Sequence, residues 1–307
     1  MKLSVISPVY NAAAILPELV NQIRQVCDAK YDFEIILIDD SSTDNSWDVI
    51  CDLARNTSVV KGYRLSRNFG QHFAITAGIE KASGDLLVIM DCDLQDNPEY
   101  IKDLVSKQKE GFEIVCTIKD EKKYSLFRKL SSNLFFMIVN RLSNVKIEKN
   151  LGTFTLISRK FADEFLGLKD YHRHTSLMFS WMGYKRGLVQ VKQNPRYHGK
   201  STYTLAKLVR HAINGVISQS DLILKGSITF GILMFLLSLI GTAYIVFKSF
   251  YTNYYIGWPS LFVLVLFSTG VILLSLGILG LYVGKIFEQV KNRPLYLISQ
   301  STQKDEQ

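Results

Sequence analysis

From Gly226 to Phe247, and again from Ser249 to Gly284, the chain carries no Asp, Glu, Lys or Arg. A helix rises about 1.5 Å per residue, so about twenty residues cross the roughly 30 Å hydrocarbon layer of a bilayer. Each run is long enough to span it. The pattern predicts a transmembrane hairpin at 226–284, with helices over about 228–247 and 260–283. Tyr251, Tyr254, Tyr255 and Trp258 form an aromatic belt around the short connection. A helical hairpin buried in a soluble core is the competing reading. The overall composition, 48% hydrophobic, agrees with a chain lodged partly in lipid. Lys200, Lys207, Arg210 and Lys225 precede the hairpin, and Lys285, Lys291 and Arg293 follow it. The positive-inside rule then gives a cytoplasmic (inner) membrane protein of two crossings, with its N-terminal domain and both termini cytoplasmic. The opening MKLSVISPVY has no long apolar core and predicts no cleaved leader.

Ahead of the hairpin, apolar runs alternate with helical periodicity. Lys2 to Val9 reads as a strand and Ala12 to Cys27 as a helix, with Ile15, Leu19, Val20, Ile23 and Val26 on one face. Glu34 to Ile38 is a second strand, followed by a helix through Ala54. Val59 to Leu65 is a third strand, followed by a helix over Gln71 to Ala82. Leu86 to Met90 is a fourth, after the Gly84-Asp85 turn signal. Such alternation implies a mostly parallel sheet with helices on both faces, and in these sheets ligands bind beyond the carboxyl ends of the strands. Asp103 to Lys109 reads as a surface helix and Phe112 to Thr117 as a further strand.

Every polar cluster of this region follows a strand: Tyr10-Asn11, Asp39-Asp40, Arg67-Asn68, and Asp91 to Gln95. One pocket accounts for all four, whereas turn and cap chemistry must account for each separately. Asp91, Asp93 and Gln95 occupy every second position, so their oxygens can converge on one hard divalent cation, Mg²⁺ or Mn²⁺. Asp39 to Asp44 offers both a ligand site and an N-cap. No GxGxxG follows the first strand and no P-loop glycine pattern occurs, so dinucleotide and P-loop NTPase readings fall away. The four cysteines show no CxxC pairing and no zinc spacing, which suits reduced thiols. The net charge of +8 suits anionic headgroups and phosphate ligands, and no nucleic-acid partner is expected.

The motifs SPVYN, IDDSSTDNS, SRNFGQHFAITAGIEKASGD and MDCDLQDNPE, in that order, resemble the polyprenyl-phosphate glycosyltransferases of family 2 and GT-A fold. That group includes bactoprenol glucosyltransferases and dolichyl-phosphate mannose synthases. The resemblance covers about the first hundred residues. It implies inverting transfer of a sugar from a nucleotide-sugar donor, here a UDP-sugar, to a polyprenyl phosphate such as undecaprenyl phosphate. It further implies that Pro8, Tyr10, Asn11, Asp39 and Asp40 surround the nucleotide, with Arg67 and Asn68 nearby, and that Asp91, Asp93 and Gln95 serve the metal and diphosphate. NLGTFTLISRK at 150–160 is similar to the group's Gly-Asp-Phe-Arg-Leu motif, but Thr153 and Thr155 stand where Asp and Arg are usual. Arg196 to Tyr203 resembles its Arg-x-x-Gly-x-Ser-x-Tyr segment.

The expected architecture is thus a catalytic domain over 1–202, a juxtamembrane amphipathic helix at 203–225, the hairpin at 226–284 and a tail at 285–307. Within the first, 124–142 places Leu126, Leu130, Leu134, Ile138 and Leu142 along one line with Arg128, Lys129 and Arg141 off it, an interfacial helix or an ordinary core helix with a basic face. A phosphate monoester is mostly a dianion near pH 7 and needs no protein base to attack. It needs cations to hold it, and the acceptor-phosphate candidates are Arg128, Lys129, Arg159, Arg196, Lys200, Ser201 and Tyr203. Asp91, Asp93, Arg128, Arg196 and Lys200 form the expected catalytic set. Self-association of the hairpin is a further expectation. Two alternatives stand beside this reading. One is a processive polysaccharide synthase, for which two crossings are few, and the other a non-catalytic scaffold or flippase component, which would not need four polar clusters at four strand ends.

Overall fold

The computed structural model describes residues 1–119, 151–171, 173–192, 222–249, 251 and 258–303. Its centre is an eight-stranded sheet in the order β7-β5-β6-β4-β1-β2-β3-β8. The first four strands are β1 (Lys2–Val9), β2 (Asp32–Asp39), β3 (Val60–Leu65) and β4 (Leu86–Ile89), all mutually parallel where they pair. Between them run α1 (Leu16–Cys27), α2 (Ser46–Asn56) and α3 (Gln71–Lys81). After β4 a short 3₁₀ turn at Pro98–Tyr100 leads into α4 (Ile101–Gln108) and β5 (Ile114–Lys119). β6 (Leu151–Ser158) lies antiparallel between β4 and β5, and β7 (Arg186–Val191) runs parallel to β5 at the sheet's edge. α5 (Arg159–Gly167) and α6 (Thr175–Trp181) connect them.

The strands are apolar on both faces because the sheet is covered on both. Leu3, Val5, Ile35, Leu37 and Val88 face one layer with α1, α2 and α4; Ile6, Ile36, Ile38, Leu87 and Ile89 face the other with α3, α5 and α6. Adjacent residues taking opposite faces is the two-residue period of a strand. At Gly78 a Cβ would come within 2.2 Å of Ile6 Cγ2, so glycine there lets α3 lie directly on β1. Pro8 is tolerated in this central strand because the ladder to β4 ends one rung earlier, at Ile6 opposite Ile89. α1 begins later than its apolar period suggests: the amide of Ile15 closes a turn on Ala12, and Pro17 sits in the first helical turn.

At the amino ends of the strands, buried Glu34 accepts hydrogen bonds from Ser4 Oγ (2.6 Å) and Ser83 N (2.7 Å), and pairs with Lys61 at 2.8 Å and Lys2 at 3.4 Å. Desolvation would raise this carboxyl, but the Lys61 pair and the bonds from Ser4 and Ser83 outweigh it and hold it at about 2.

The described residues fall into two compact units. The second contains α7 (Leu222–Ser249) and α8 (Trp258–Val290), which pack on each other and expose Leu, Ile and Phe side chains such as Ile232, Leu237, Leu273 and Phe287 to half or more of their area. Among the described residues one stretch, Phe267–Val290, is long and apolar enough to cross a membrane. The segment after residue 285 is not a uniform tail. α8 continues to Val290, and the chain from Arg293 belongs to the first unit, where β8 (Ile298–Ser301) pairs antiparallel with β3. Thr302 Oγ1 accepts from Gly62 N at 2.9 Å, and the Tyr296 hydroxyl bonds Glu80.

Candidate active site

The loops that leave the carboxyl ends of β1, β2, β3 and β4 are joined by a continuous run of hydrogen bonds. Asn11 donates its amide to Ser42 Oγ (2.9 Å), and its side-chain oxygen accepts from Thr43 N (2.8 Å) and more loosely from Asp44 N (3.4 Å). Ala12 N and Ala13 N donate to Ser46 Oγ and Asp44 Oδ2. This zips the loop after β1 onto the start of α2. Asp40 then accepts from Phe69 N and Gly70 N, each at 2.8 Å, tying the end of β2 to the loop after β3. Gln71, the first residue of α3, donates through Nε2 to Asp91 Oδ1 at 2.6 Å, and Thr153 Oγ1 donates from β6 to Asp91 Oδ2 at 2.9 Å.

Backbone strain gathers on the same rim. Asn11, Ser41 and Leu94 take positive φ of 51°, 56° and 55°, each just past a strand end. Non-glycine residues in this region cost on the order of 1–3 kcal/mol apiece and persist where surroundings over-determine them, which is characteristic of ligand sites. Leu94 is buried, and its turn brings Gln95 N back to Asp93 Oδ1 at 3.2 Å. Gly70, at φ 104° and ψ 155° before α3, takes an extended positive-φ conformation that essentially only glycine adopts.

A cavity of about 560 Å³ opens between the loop after β1 and the start of α2, lined by Tyr10, Asn11, Ala12, Asp44, Asn45 and Asp93 among others. Ala12, Ala13 and Ala14 leave it room, Tyr10 exposes half its surface at the rim, and Cys92 lies in the wall. Burial first, then Asp91 and Asp93, pushes the Cys92 thiol up to about 12, so it stays protonated. The Asp44 carboxyl lies below its ordinary value. Desolvation opposes this, but bonds from Ser46 and neighbouring amides prevail.

Of the residues expected around a nucleotide, Tyr10 and Asn11 line this cavity, and Arg67 and Asn68 are exposed, with the Arg67 guanidinium 4.3 Å from the Phe69 ring centre. Pro8, Asp39 and Asp40 are buried and lie outside the cavity's lining. Asp39 holds Ser42 N and pairs with Arg64 at 3.2 Å; Asp40 holds the loop after β3. Burial pushes both carboxyls up against those hydrogen bonds. Their first task is therefore to shape the rim. Arg159 needs correcting as an acceptor-phosphate candidate. Its guanidinium binds Gly84 O and Ala82 O at 2.7 Å, and its own amide bonds Asp85 O, at the amino end of β4 opposite the carboxylates. Thr155 is buried within β6. Arg128, Lys129, Arg196, Lys200, Ser201 and Tyr203 lie outside the described residues, as do the segments 124–142 and 203–221.

Sequence reasoning missed Asp44 and Asn45 as cavity residues, and Gln71 as a partner of Asp91. Asp44 lies in the Asp39–Asp44 stretch that offers both a ligand site and an N-cap, and nothing in that stretch alone singles it out. A signal for Gln71 was available: a polar side chain in the first turn of α3 stands beside the neighbouring strand's end. As for a cation, no three of His, Cys, Asp and Glu gather round one point among the described residues. The donors present, Asp91 and Asp93 with Gln95 two residues on, still fit Mg²⁺ or Mn²⁺, which takes one or two carboxylates and fills its shell with substrate phosphate oxygens.

A parallel-centred sheet, a cavity at its strand ends that carries Asn11, Asp44, Asn45 and Asp93, and an Asp-x-Asp pair on the central strand's loop suit an α/β glycosyltransferase. Residues 4–166 match the glycosyl transferase family 2, and the chain belongs to that family. It is similar to the uncharacterized glycosyltransferase YkcC of Bacillus subtilis, 33% identical over 301 residues, covering 97% of this chain and 93% of that protein. It is similar also to the SfII prophage-derived bactoprenol glucosyl transferase of Shigella flexneri, 32% identical over 304 residues and 98% of both chains. Among solved structures, a mannosyltransferase of Pyrobaculum calidifontis in complex with GDP-Man and Mn²⁺ aligns with a TM-score of 0.47 at 17% identity, covering 65% of this chain and 58% of that one.

Proposed function

We propose that the chain transfers a sugar, with inversion, from a UDP-sugar to a polyprenyl phosphate at the cytoplasmic face of a membrane. The observation that carries this is the cavity beside the strand ends, whose lining brings the Tyr10 ring, Asn11, Asp44 and Asn45 together with Asp93, so that one bound donor can meet an aromatic face and a carboxylate. Relatives named bactoprenol glucosyl transferase, aligned over nearly the whole chain, support the lipid acceptor.

Tyr10 covers a base face, while Asp44 and Asn45 offer an acceptor and an amide to base or ribose. Asp91 and Asp93, with Gln95, would hold Mg²⁺ or Mn²⁺. When bound, such an ion offsets the charge that develops on the leaving diphosphate. Asp40 keeps the Phe69-Gly70 turn against the rim, so that Arg67 and Asn68 stand beside the donor. The acceptor phosphate attacks without a general base, held by cations drawn from Arg128, Lys129, Arg196 and Lys200, with Ser201 and Tyr203 as hydroxyl donors. α7 and α8 form the two crossings, and self-association of this unit is part of the same reading.

The test is an assay with a nucleotide-sugar labelled in the sugar, membranes holding the full chain, and added polyprenyl phosphate. Label should pass into the organic phase, and only when the lipid carries its phosphate. Label that enters an insoluble polymer, or equal transfer to free polyprenol, would reject the proposal.

A further inference from the structure

We infer that Gln71 and Thr153 are positioning residues that clamp Asp91 for the donor diphosphate and its cation. The inference rests on the metal-dependent reading above. Asp91 is gripped from two sides by neutral donors on separate elements, Gln71 Nε2 at 2.6 Å from α3 and Thr153 Oγ1 at 2.9 Å from β6, one on each carboxylate oxygen. With one bond on each oxygen, the two donors fix the plane of the carboxylate.

The clamp is itself anchored. Asp40 fixes the turn before Gln71 through Phe69 N and Gly70 N. His72, the next residue, meets Thr175 through Nδ1 at 3.1 Å, tying α3 to the start of α6. Thr153 lies in the β6 ladder beside β4, two residues before Thr155 pairs with Ile89. The Asp91 end of the turn is thus held by the clamp, and the Asp93 end by the bond to Gln95 N.

The chemistry of the donors matters as much as their positions. A lysine at 71 would neutralise the charge that attracts the cation. An aspartate at 153 would set a second carboxylate against Asp91. A hydroxyl and a primary amide orient the group and leave its charge available. Hydrogen-bond partners of metal-binding carboxylates typically affect metal affinity by about 10–100-fold.

The test uses the full chain in detergent, titrated with manganese chloride in the presence of uridine diphosphate. Thr153→Val and Gln71→Leu should each weaken Mn²⁺ binding by about 10–100-fold. Thr153→Ser should bind like the parent, because it keeps the hydroxyl. Because both clamp bonds are solvent-exposed, the thermal midpoint measured without metal should fall little in all three, while the Mn²⁺-induced rise shrinks in the first two. The loss of turnover should be recovered at high Mn²⁺. Unchanged affinity in Thr153→Val, equal weakness in the Ser and Val variants, or a lowered metal-free midpoint that accounts for the loss would overturn the clamp. A parent protein that binds neither Mn²⁺ nor Mg²⁺ would instead remove the metal reading on which it stands.

Discussion

Asp93 and Asp40 show how two carboxylates at the ends of the parallel strands come to differ in duty. Asp93 borders the cavity and spends one oxygen on its own turn, whereas buried Asp40 spends both oxygens on backbone amides. Asp93→Asn should therefore cut turnover by on the order of 10²-fold while the unfolding midpoint holds, in line with the loss of one electrostatic partner at a reacting charge. Full activity in that variant, or indifference to EDTA, would refute the assignment. Asp40→Ala should do the reverse first. It removes charge-assisted hydrogen bonds worth about 1.5–3 kcal/mol, so denaturant titration should show that loss of stability with weakened donor binding following from a loosened loop. The acidic residues stand out in the sequence because acids after apolar runs are conspicuous. Their division of labour was not, since the partners of Asp40 are main-chain amides of Phe69 and Gly70, which no side-chain pattern announces.

At the scale of elements, the four parallel strands were legible because strands covered on both faces read as unbroken apolar runs. β8 was not: Ile298–Ser301 reads ISQS, an edge strand with no such run, recognisable only by its ladder with β3. It covers what would otherwise be an open edge. Ending the chain at Asn292 should expose β3 and promote self-association of the sheet, seen as early elution on size exclusion. Thr302→Val, which deletes only the bond to Gly62, should cost about 1 kcal/mol. The opposite end of the sheet depends on Glu34, with its carboxyl held at about 2 against an ordinary 4.5. Because the folded value lies below the unfolded one, this stabilisation is fully present above pH 4.5 and fades as pH falls toward 2. It amounts to about 3 kcal/mol at neutral pH. Glu34→Gln should lose that amount at pH 7, and its stability curve should meet the parent's near pH 2. Curves that stay parallel would show that Glu34 acts by packing alone.

On the scale of the whole molecule, the charges around α7 and α8 make the topology testable. α7 spans 28 residues and α8 spans 33, about 42 Å and 50 Å at the helical rise, and among the described residues the stretch Phe267–Val290 of α8 is the one both long and apolar enough to cross. Lys225 lies near the start of α7, and Lys285, Lys291 and Arg293 near or past the end of α8; the connecting side carries Lys248 alone. On the proposed two-crossing topology this bias would set the connection outside. A cysteine at Thr252 should then react with a membrane-impermeant maleimide on intact cells, and one at Asn292 should react only after permeabilisation. The native thiols are the internal control, because Cys27, Cys51, Cys92 and Cys116 all belong to the sheet-bearing unit and form no disulfide. On intact cells none of them should label on this topology, so the parent chain stays dark and signal from Thr252→Cys is unambiguous. The opposite pattern, with Asn292→Cys labelled and Thr252→Cys protected, would invert the orientation and place the donor site away from cytoplasmic nucleotide-sugars. Protection at both positions on intact cells, with labelling at both after permeabilisation, would mean that the helices form no two-crossing hairpin.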